Sequence, residues 1–423
     1  MSQPDSQASR TPFSLLGLTA LPSLLALSAL GLGFWTGCGG DPTPTAMQFF
    51  RGNTHTHTLW SDGDAAPELA TAWYRDRDFD FLVLSEHNTM AIGTRWFEIK
   101  DGSRLTDARV TQLEEQFGAD AIEVRDRADG GREMRLQTLD ELRDRFEAPG
   151  EFLMITGEEI TDSFEGANVH VNGINLTEVI KPQHGDTLTE TVSRNVDAVA
   201  AQGATESRPM LSHLNHPNFT WSLGWDDFAT IPGLQFFEVY NGHPSVHNRG
   251  DAERPATERM WDLVNTRRLR EASLPLMYGV ATDDAHHYHE MKLGRSNPGR
   301  GYVQVAASAL EPNAIVEAMQ AGQFYGSSGV DLAYFHSDAK AFELEILPEE
   351  GVAYRVQFIG TRGDEIGALL SEQTGTLARY ECTGDELFVR AVVISDRLHP
   401  NPAEEGEFEQ AWLQPVLGPA ANQ

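Results

Sequence analysis

The stretch "RGNTHTHTLWSDG" sets His55 and His57 at i and i+2, then brings Asp62 into a Ser61-Asp62-Gly63 turn. On an extended strand that spacing puts both imidazoles on one face, with Thr54, Thr56 and Thr58 on the other. Two imidazoles on one face suit a transition metal. The turn residues allow the Asp62 carboxylate to fold back onto the same place. Further along, "FLVLSEHN" ends an apolar run on Glu86-His87, and "FLMITGEEIT" offers Glu158 and Glu159 after Gly157. Glu159 is expected to point inward and Glu158 to be exposed. His170 in "NVHVNG" shares a face with Asn168 and Asn172, an unusually polar face for a core strand. His216 precedes Pro217, which is expected to hold it in extended geometry. In "YGVATDDAHHYHE", Asp284 and His286 repeat the i, i+2 spacing. His213, by its spacing, points away from this set.

These six histidines and three acids exceed what one tetrahedral or octahedral ion can use, so two or three adjacent metals are expected. Zn, Mn and Fe all suit such ligands. Of the acids, Glu159 can bridge two ions through its two oxygens.

Ligands spread from position 55 to position 286 need a scaffold that gathers them. Seven strand candidates, "MQFFRGNTHTH", "FDFLVLSEH", "FLMITGEE", "NVHVNGINL", "RPMLSHLNHP", "LQFFEVYNGH" and "LPLMYGVATDDAH", each run from apolar residues into polar ones. Helical segments such as "PELATAWYRDR", "TLTETVSRNVDAVAAQ" and "ATERMWDLVNTRRLR" lie between them. Alternating strands and helices predict an α/β fold around a parallel sheet, and a barrel would collect the strand C-termini on one face.

With 32 Lys plus Arg against 63 Asp plus Glu, the formal charge of -31 disfavours nucleic-acid binding through a basic surface, and an anionic substrate would need a cation in the site. Residues 1–37 read as a signal peptide: an apolar run from Pro12 to Trp35, with Arg10 before it, leads through a Gly/Pro/Thr linker over 38–47. Trp35-Thr36-Gly37-Cys38 resembles a bacterial lipoprotein cleavage box, although Trp35 replaces the usual small aliphatic residue. That resemblance implies lipidation of Cys38, an exported envelope protein, and membrane contact through this anchor alone. Cys382 then has no partner, and no disulfide framework is expected.

The ordered set HxH-x4-D, H, GxE, H, HP and DxH resembles the polymerase-and-histidinol-phosphatase (PHP) family of metal-dependent hydrolases over about residues 48–330. The resemblance implies a distorted seven-stranded (βα) barrel. It also implies one metal on His55, His57, Glu159 and Asp284, a second on Glu159, His170 and His216, and a third on Asp62, His87 and His286. Where the family often has Thr-Asp-His, this chain has Ser85-Glu86-His87, which keeps the ligand. "SEHN", "EVYNGHP", "GRGYVQV" and "AIVEAMQAGQFYGSSG" look more specifically like the carbaryl-hydrolase-like branch.

The activity this implies is hydrolysis by a metal-bound hydroxide, with a small-molecule phosphate ester as the favoured substrate. Carbamate or carboxylic ester hydrolysis is the alternative, and a non-catalytic, metal-stabilised surface binding protein is the non-enzymatic one. Asp284 and His243 are the candidate catalytic groups. Asn241, Arg295 and Arg300 are candidates for substrate contact, set against a loop-stabilising role for Asn241 and His243 and a solvated role for the arginines. Residues 91–150, with "RDRADGGREMR" as a hairpin turn, are expected to form an insertion above the barrel mouth. From 331 to 423 the period changes to two, with "AWLQPV" as a last strand, and a small antiparallel β-sandwich domain is predicted.

Overall fold

Phe81–Leu84 is buried at all four positions, as a strand covered on both faces must be, and it sits near the middle of a thirteen-stranded sheet. The structure is a computed structural model that describes residues 48–422. The signal peptide, the linker and Cys38 lie outside these residues. No helix among the described residues is long and apolar enough to cross a membrane.

Numbered along the chain, the strands of this sheet are β1 (Phe50–Asn53), β2 (Phe81–Leu84), β3 (Leu153–Phe164), β4 (Ala167–Ile174), β5 (Leu211–Leu214), β6 (Phe236–Asn241) and β7 (Tyr278–Thr282). They continue as β8 (Tyr302–Val305), β9 (Phe324–Ser327), β10 (Tyr354–Arg362), β11 (Glu365–Thr374), β12 (Glu386–Leu398) and β13 (Phe408–Leu417). Their spatial order is β7-β6-β5-β4-β3-β2-β1-β8-β9-β13-β12-β10-β11. The fold is therefore mixed α/β, and the seven expected strands are consecutive neighbours.

They are not all parallel. β4 runs antiparallel to both β3 and β5. The cause is local: Phe164 pairs with Ala167, leaving Glu165 (φ 49°) and Gly166 (φ 88°) as a two-residue hairpin loop. Such loops favour positive φ at both positions, because that twist matches the strands. Among the described residues no continuous ladder closes the seven strands into the distorted (βα) barrel that the resemblance implies. Past the end of β1, Thr56 bridges Ala285 beyond β7, and the His57 N–H donates to the Ala285 carbonyl at 2.9 Å. This single bridge joins the two ends of the seven-strand run beside the histidines.

One apolar cluster, with Phe50, Val83, Ile155, Ile174, Phe236 and Val303 among its members, lies beneath the polar strand ends. Residues 91–150 form a three-stranded sheet (Trp96–Ile99, Val124–Asp126 and Arg132–Arg135) with helices Asp107–Phe117 and Leu139–Phe146. Val110, Leu113, Met134 and Leu142 share a core with Leu59 and Trp60, so this charged insertion is firmly packed.

After position 331, Leu332–Ser337, Ala341–Ile346 and Leu377–Glu381 form a second antiparallel sheet. Phe335, Phe342 and Leu344 from it meet Val356, Phe358, Val389 and Leu413 of the main sheet in one core. The segment after 331 is thus built of antiparallel strands, but β13 pairs with β9, so the sheet runs on across the expected boundary at 330/331. Arg390 on β12 also donates to Asp262 on helix Thr257–Arg267, through Nε at 2.7 Å and Nη2 at 2.9 Å.

Candidate metal centre

Glu159 lies near the middle of β3, fully buried, and its two oxygens face different histidines. Oε1 lies 2.9 Å from His170 Nδ1 and 3.5 Å from both His55 Nε2 and His216 Nε2. Oε2 lies 2.8 Å from His87 Nδ1 and 3.4 Å from His57 Nε2. Asp284 Oδ1 approaches His57 Nε2 at 3.2 Å, His55 Nε2 at 3.3 Å and His286 Nδ1 at 3.5 Å. Asp62, half-exposed on its turn, faces His286 Nε2 at 3.2 Å and His87 Nε2 at 3.4 Å. All nine sequence-selected ligand candidates thus meet in one place.

Metal-compatible groups among them are His57, Asp62, His87 and His286; His55, His57 and Glu159; His55, His216 and Asp284; and His87, Glu159 and His170. His170 Nδ1 and His216 Nε2 both face Glu159 Oε1, at 2.9 and 3.5 Å, while the compact groups set His170 also with His87 and His216 also with His55 and Asp284.

The fit to metal rests on unpartnered atoms. His55 Nε2, His57 Nε2, His170 Nδ1 and Glu159 Oε2 are buried and make no hydrogen bond. Orphaned buried polar atoms are costly, and here they converge. Among the described residues no Lys or Arg lies within ion-pair distance of Glu159, Asp284 or Asp62. Without metal, protons supply the missing positive charge. Burial works against a charged His87, but Glu159 and Asp62 outweigh it and push its pKa up to about 11. Burial, reinforced by His286 and His87, pushes His57 down to about 3. Burial also opposes charge on Glu159 and Asp284, yet the surrounding histidines hold both well below the usual carboxylate range.

A second set of residues, not recognised in the sequence, aims the first. Glu238 on β6 is buried and accepts from His55 Nδ1 (2.7 Å), the His216 backbone N–H (2.7 Å), Thr282 Oγ1 (2.8 Å) and Asn241 Nδ2 (2.8 Å). This leaves the His55 Nε2 lone pair facing the cluster, as metal-binding histidines require. Asn215 Nδ2 donates to Glu159 Oε1 at 2.8 Å, and His286 Nδ1 donates to the Asp284 carbonyl at 2.8 Å. A charged residue inside "FFEVY" was the available signal for Glu238. Gly63 packs the Asp62 turn against the ligand strand, where an added Cβ would lie 2.5 Å from the His57 carbonyl oxygen.

Several expectations need correction. His216 is not extended but has φ 22°, and Asp284 has φ 48°; non-glycine residues hold such conformations when the surroundings over-determine them. Glu158 is buried, not exposed, and accepts from the Ile180 N–H. Asn241 is fully buried and donates to Glu238 and, at 3.3 Å, to Asp284 Oδ2, so it holds ligands in place instead of meeting substrate. Arg300 is buried, and its guanidinium donates to the carbonyls of Gly242 (2.8 Å), Asn401 (3.0 Å) and Lys292 (3.2 Å). Arg295 lines a neighbouring cavity. His213 is buried with neither ring nitrogen hydrogen-bonded, and burial lowers its pKa to about 4.

The cluster opens into a cavity of about 380 Å³, lined by Asp62, His87, Glu159, His170, His216, Asp284 and His286 together with Phe219, His243 and His287. His243 Nδ1 accepts the Ser245 N–H at 3.1 Å, so the neutral ring carries its proton on Nε2. Burial holds its pKa down to about 4.

Fold and site together define a mixed α/β protein with a His/Asp/Glu cluster able to hold divalent metal. No family model and no curated protein matches the chain. Among solved structures, the chain is similar to a two-domain protein from Bacteroides vulgatus ATCC 8482 containing a predicted PHP-like metal-dependent phosphoesterase, with 14% identity, TM-score 0.39, and 89% of this chain and 100% of that chain covered. It is also similar to a protein from Bifidobacterium adolescentis ATCC 15703 assigned as a metal-dependent phosphoesterase, with 14% identity, TM-score 0.28, and 58% of this chain and 89% of that one covered. At TM-scores this low neither likeness carries an argument, and the chemistry rests on the chain's own geometry.

Proposed function

We propose that the chain is a metal-dependent hydrolase of small-molecule phosphate esters, exported and anchored through Cys38. The observation that supports this is Glu159, whose two oxygens each face a separate set of imidazoles with, among the described residues, no Lys or Arg to neutralise it. His55, His57, Glu159 and Asp284 would hold one ion, His170 and His216 with Glu159 a second, and Asp62, His87 and His286 a third. Divalent ions bound there supply a nucleophile from water near neutral pH and neutralise charge developing on the ester oxygens.

The protein's own groups do the rest. Glu238 keeps the proton on His55 Nδ1, and Asn215 and Asn241 hold Glu159 and Asp284 in position. With its oxygens engaged by His55, His57 and Asn241, Asp284 acts as a ligand. His243 keeps a proton on Nε2 at the cavity wall, suited to the leaving-group oxygen. Phe219 is the apolar side chain in a lining otherwise made of histidines and carboxylates, which favours a phosphoryl group over an aryl ester.

Metal analysis followed by turnover of p-nitrophenyl phosphate, bis-p-nitrophenyl phosphate and a 1-naphthyl carbamate tests this. Release of nitrophenol that a chelator abolishes and added metal restores is expected. Turnover of the carbamate alone would overturn the proposal, and a metal-loaded but inert protein would favour the binding reading.

A further inference from the structure

A second cavity, of about 550 Å³, shares the His287 wall with the metal cavity. Phe97, Arg104 and Arg109 of the insertion form one side, and Arg295 stands on the loop that follows the last metal ligands. We propose that this cavity binds a second anionic group, carboxylate or phosphate, on the non-reacting half of the substrate. The inference rests on the phosphoesterase reading above and narrows its substrate class to esters with an acidic second half.

Three guanidiniums converge here in a chain of formal charge -31. Arg104 is fixed without being neutralised. Its Nη1 donates to the carbonyls of Ser61 (2.8 Å) and Gly63 (2.9 Å), its guanidinium lies 5.1 Å from the centre of the Phe97 ring, and among the described residues no carboxylate pairs with it. Nε and Nη2 are left to a ligand, the arrangement in which arginine recognises planar or tetrahedral anions. Arg109 Nη1 donates to the Asp64 carbonyl at 3.2 Å, and its Nη2 lies 3.7 Å from the Asp64 carboxylate. Arg295 Nη2 is 3.6 Å from Glu290, but Glu290 is already held by Lys292 Nζ at 2.6 Å. The carboxylates present, Asp64 and Glu290, therefore leave this cavity net cationic.

Its walls are joined to the metal centre. Ser61 and Gly63, which hold Arg104, flank Asp62, and the Asp64 N–H donates to the His286 carbonyl at 2.7 Å. The two cavities therefore share a wall at His287 and the 61–64 turn, and the proposed substrate places its phosphate in one and its second anion in the other.

The test compares phenyl phosphate with 4-carboxyphenyl phosphate and 4-(phosphonomethyl)phenyl phosphate, using the full metal-loaded protein for kcat/KM and, with the non-hydrolysable phosphonate analogue of each ester, for binding by calorimetry. The two acidic esters distinguish a carboxylate from a phosphate preference. At least one is expected to exceed phenyl phosphate by about tenfold in both readouts, as a charge-assisted hydrogen bond to arginine provides. Arg104→Gln and, separately, Arg295→Gln should collapse that ratio; a ratio within one variant cancels any general loss. Equal kcat/KM for the three esters and equal affinity for their analogues would overturn the anion pocket and leave the phosphoesterase reading standing. No turnover of any ester with the binding preference intact would overturn the phosphoesterase reading and leave the pocket standing.

Discussion

Glu238 Oε1 accepts the Nδ1–H of His55 at 2.7 Å across 183 positions of sequence, and both side chains are completely buried. The pair fixes which imidazole nitrogen faces the cluster. Glu238→Gln keeps the volume but can place an amide N–H where the acceptor stood. Metal affinity is expected to fall about 10–100-fold, as when such supporting carboxylates are lost, with the fold retained. Chelator competition followed by circular dichroism would check this; unchanged affinity would remove Glu238 from the site.

Glu159→Gln should be more severe, because the residue faces five histidines and carries the charge that balances the ions. We expect metal affinity to drop by more than about 100-fold, beyond the range of a supporting residue. Bound metal and hydrolysis should disappear together, and His57→Ala should do the same. Retention of both metal and activity would contradict the assignment.

Glu68, buried in the first turn of helix Pro67–Arg75, has an unpartnered Oε2, and burial pushes its pKa from 4.5 up to about 7. Because the folded value is the higher one, its contribution to stability is present in full below the unfolded pKa and is lost as pH rises through about 7. The loss on going to the alkaline side approaches about 3 kcal/mol. Glu68→Gln should therefore gain stability over the parent between pH 5 and pH 8, compared by chemical denaturation. A difference that does not vary with pH would refute the buried-carboxyl account.

Arg390→Met leaves Asp262 buried without its partner and should destabilise the protein by about 3–5 kcal/mol. Since β13 pairs with β9, tryptophan fluorescence and metal release should report one coincident urea transition. Two separate transitions would mean that the segment after 331 folds on its own. Arg390→Met combined with Asp262→Leu should recover most of the loss, because an apolar replacement of a buried ion pair is often neutral.

The nine ligand candidates were legible because chemistry restricts residue type: histidine and carboxylate at strand ends, with i, i+2 spacing at 55/57 and 284/286, have few other uses in such numbers. Strand direction was less legible. The Glu165-Gly166 loop reverses β4, and two residues within an apolar-polar run are easily passed over. The supporting shell escaped because Glu238 sits inside "FFEVY", where one acid in an apolar strand says nothing about its partner.

By itself, the sequence determined the inventory: which side chains can ligate metal, which runs become strands, and a net charge that requires cations at any site for anions. Those properties belong to single residues and to near neighbours. The tertiary structure decided what depends on distance between remote positions. It set which histidines share each oxygen of Glu159, enclosed Arg300 among carbonyls, and placed Arg104 and Arg295 on one cavity beside the His/Asp/Glu cluster. The physical reason is range: coordination, hydrogen bonding and desolvation act over a few ångströms. Only the packed chain brings residues as far apart as His55 and Glu238 within that reach.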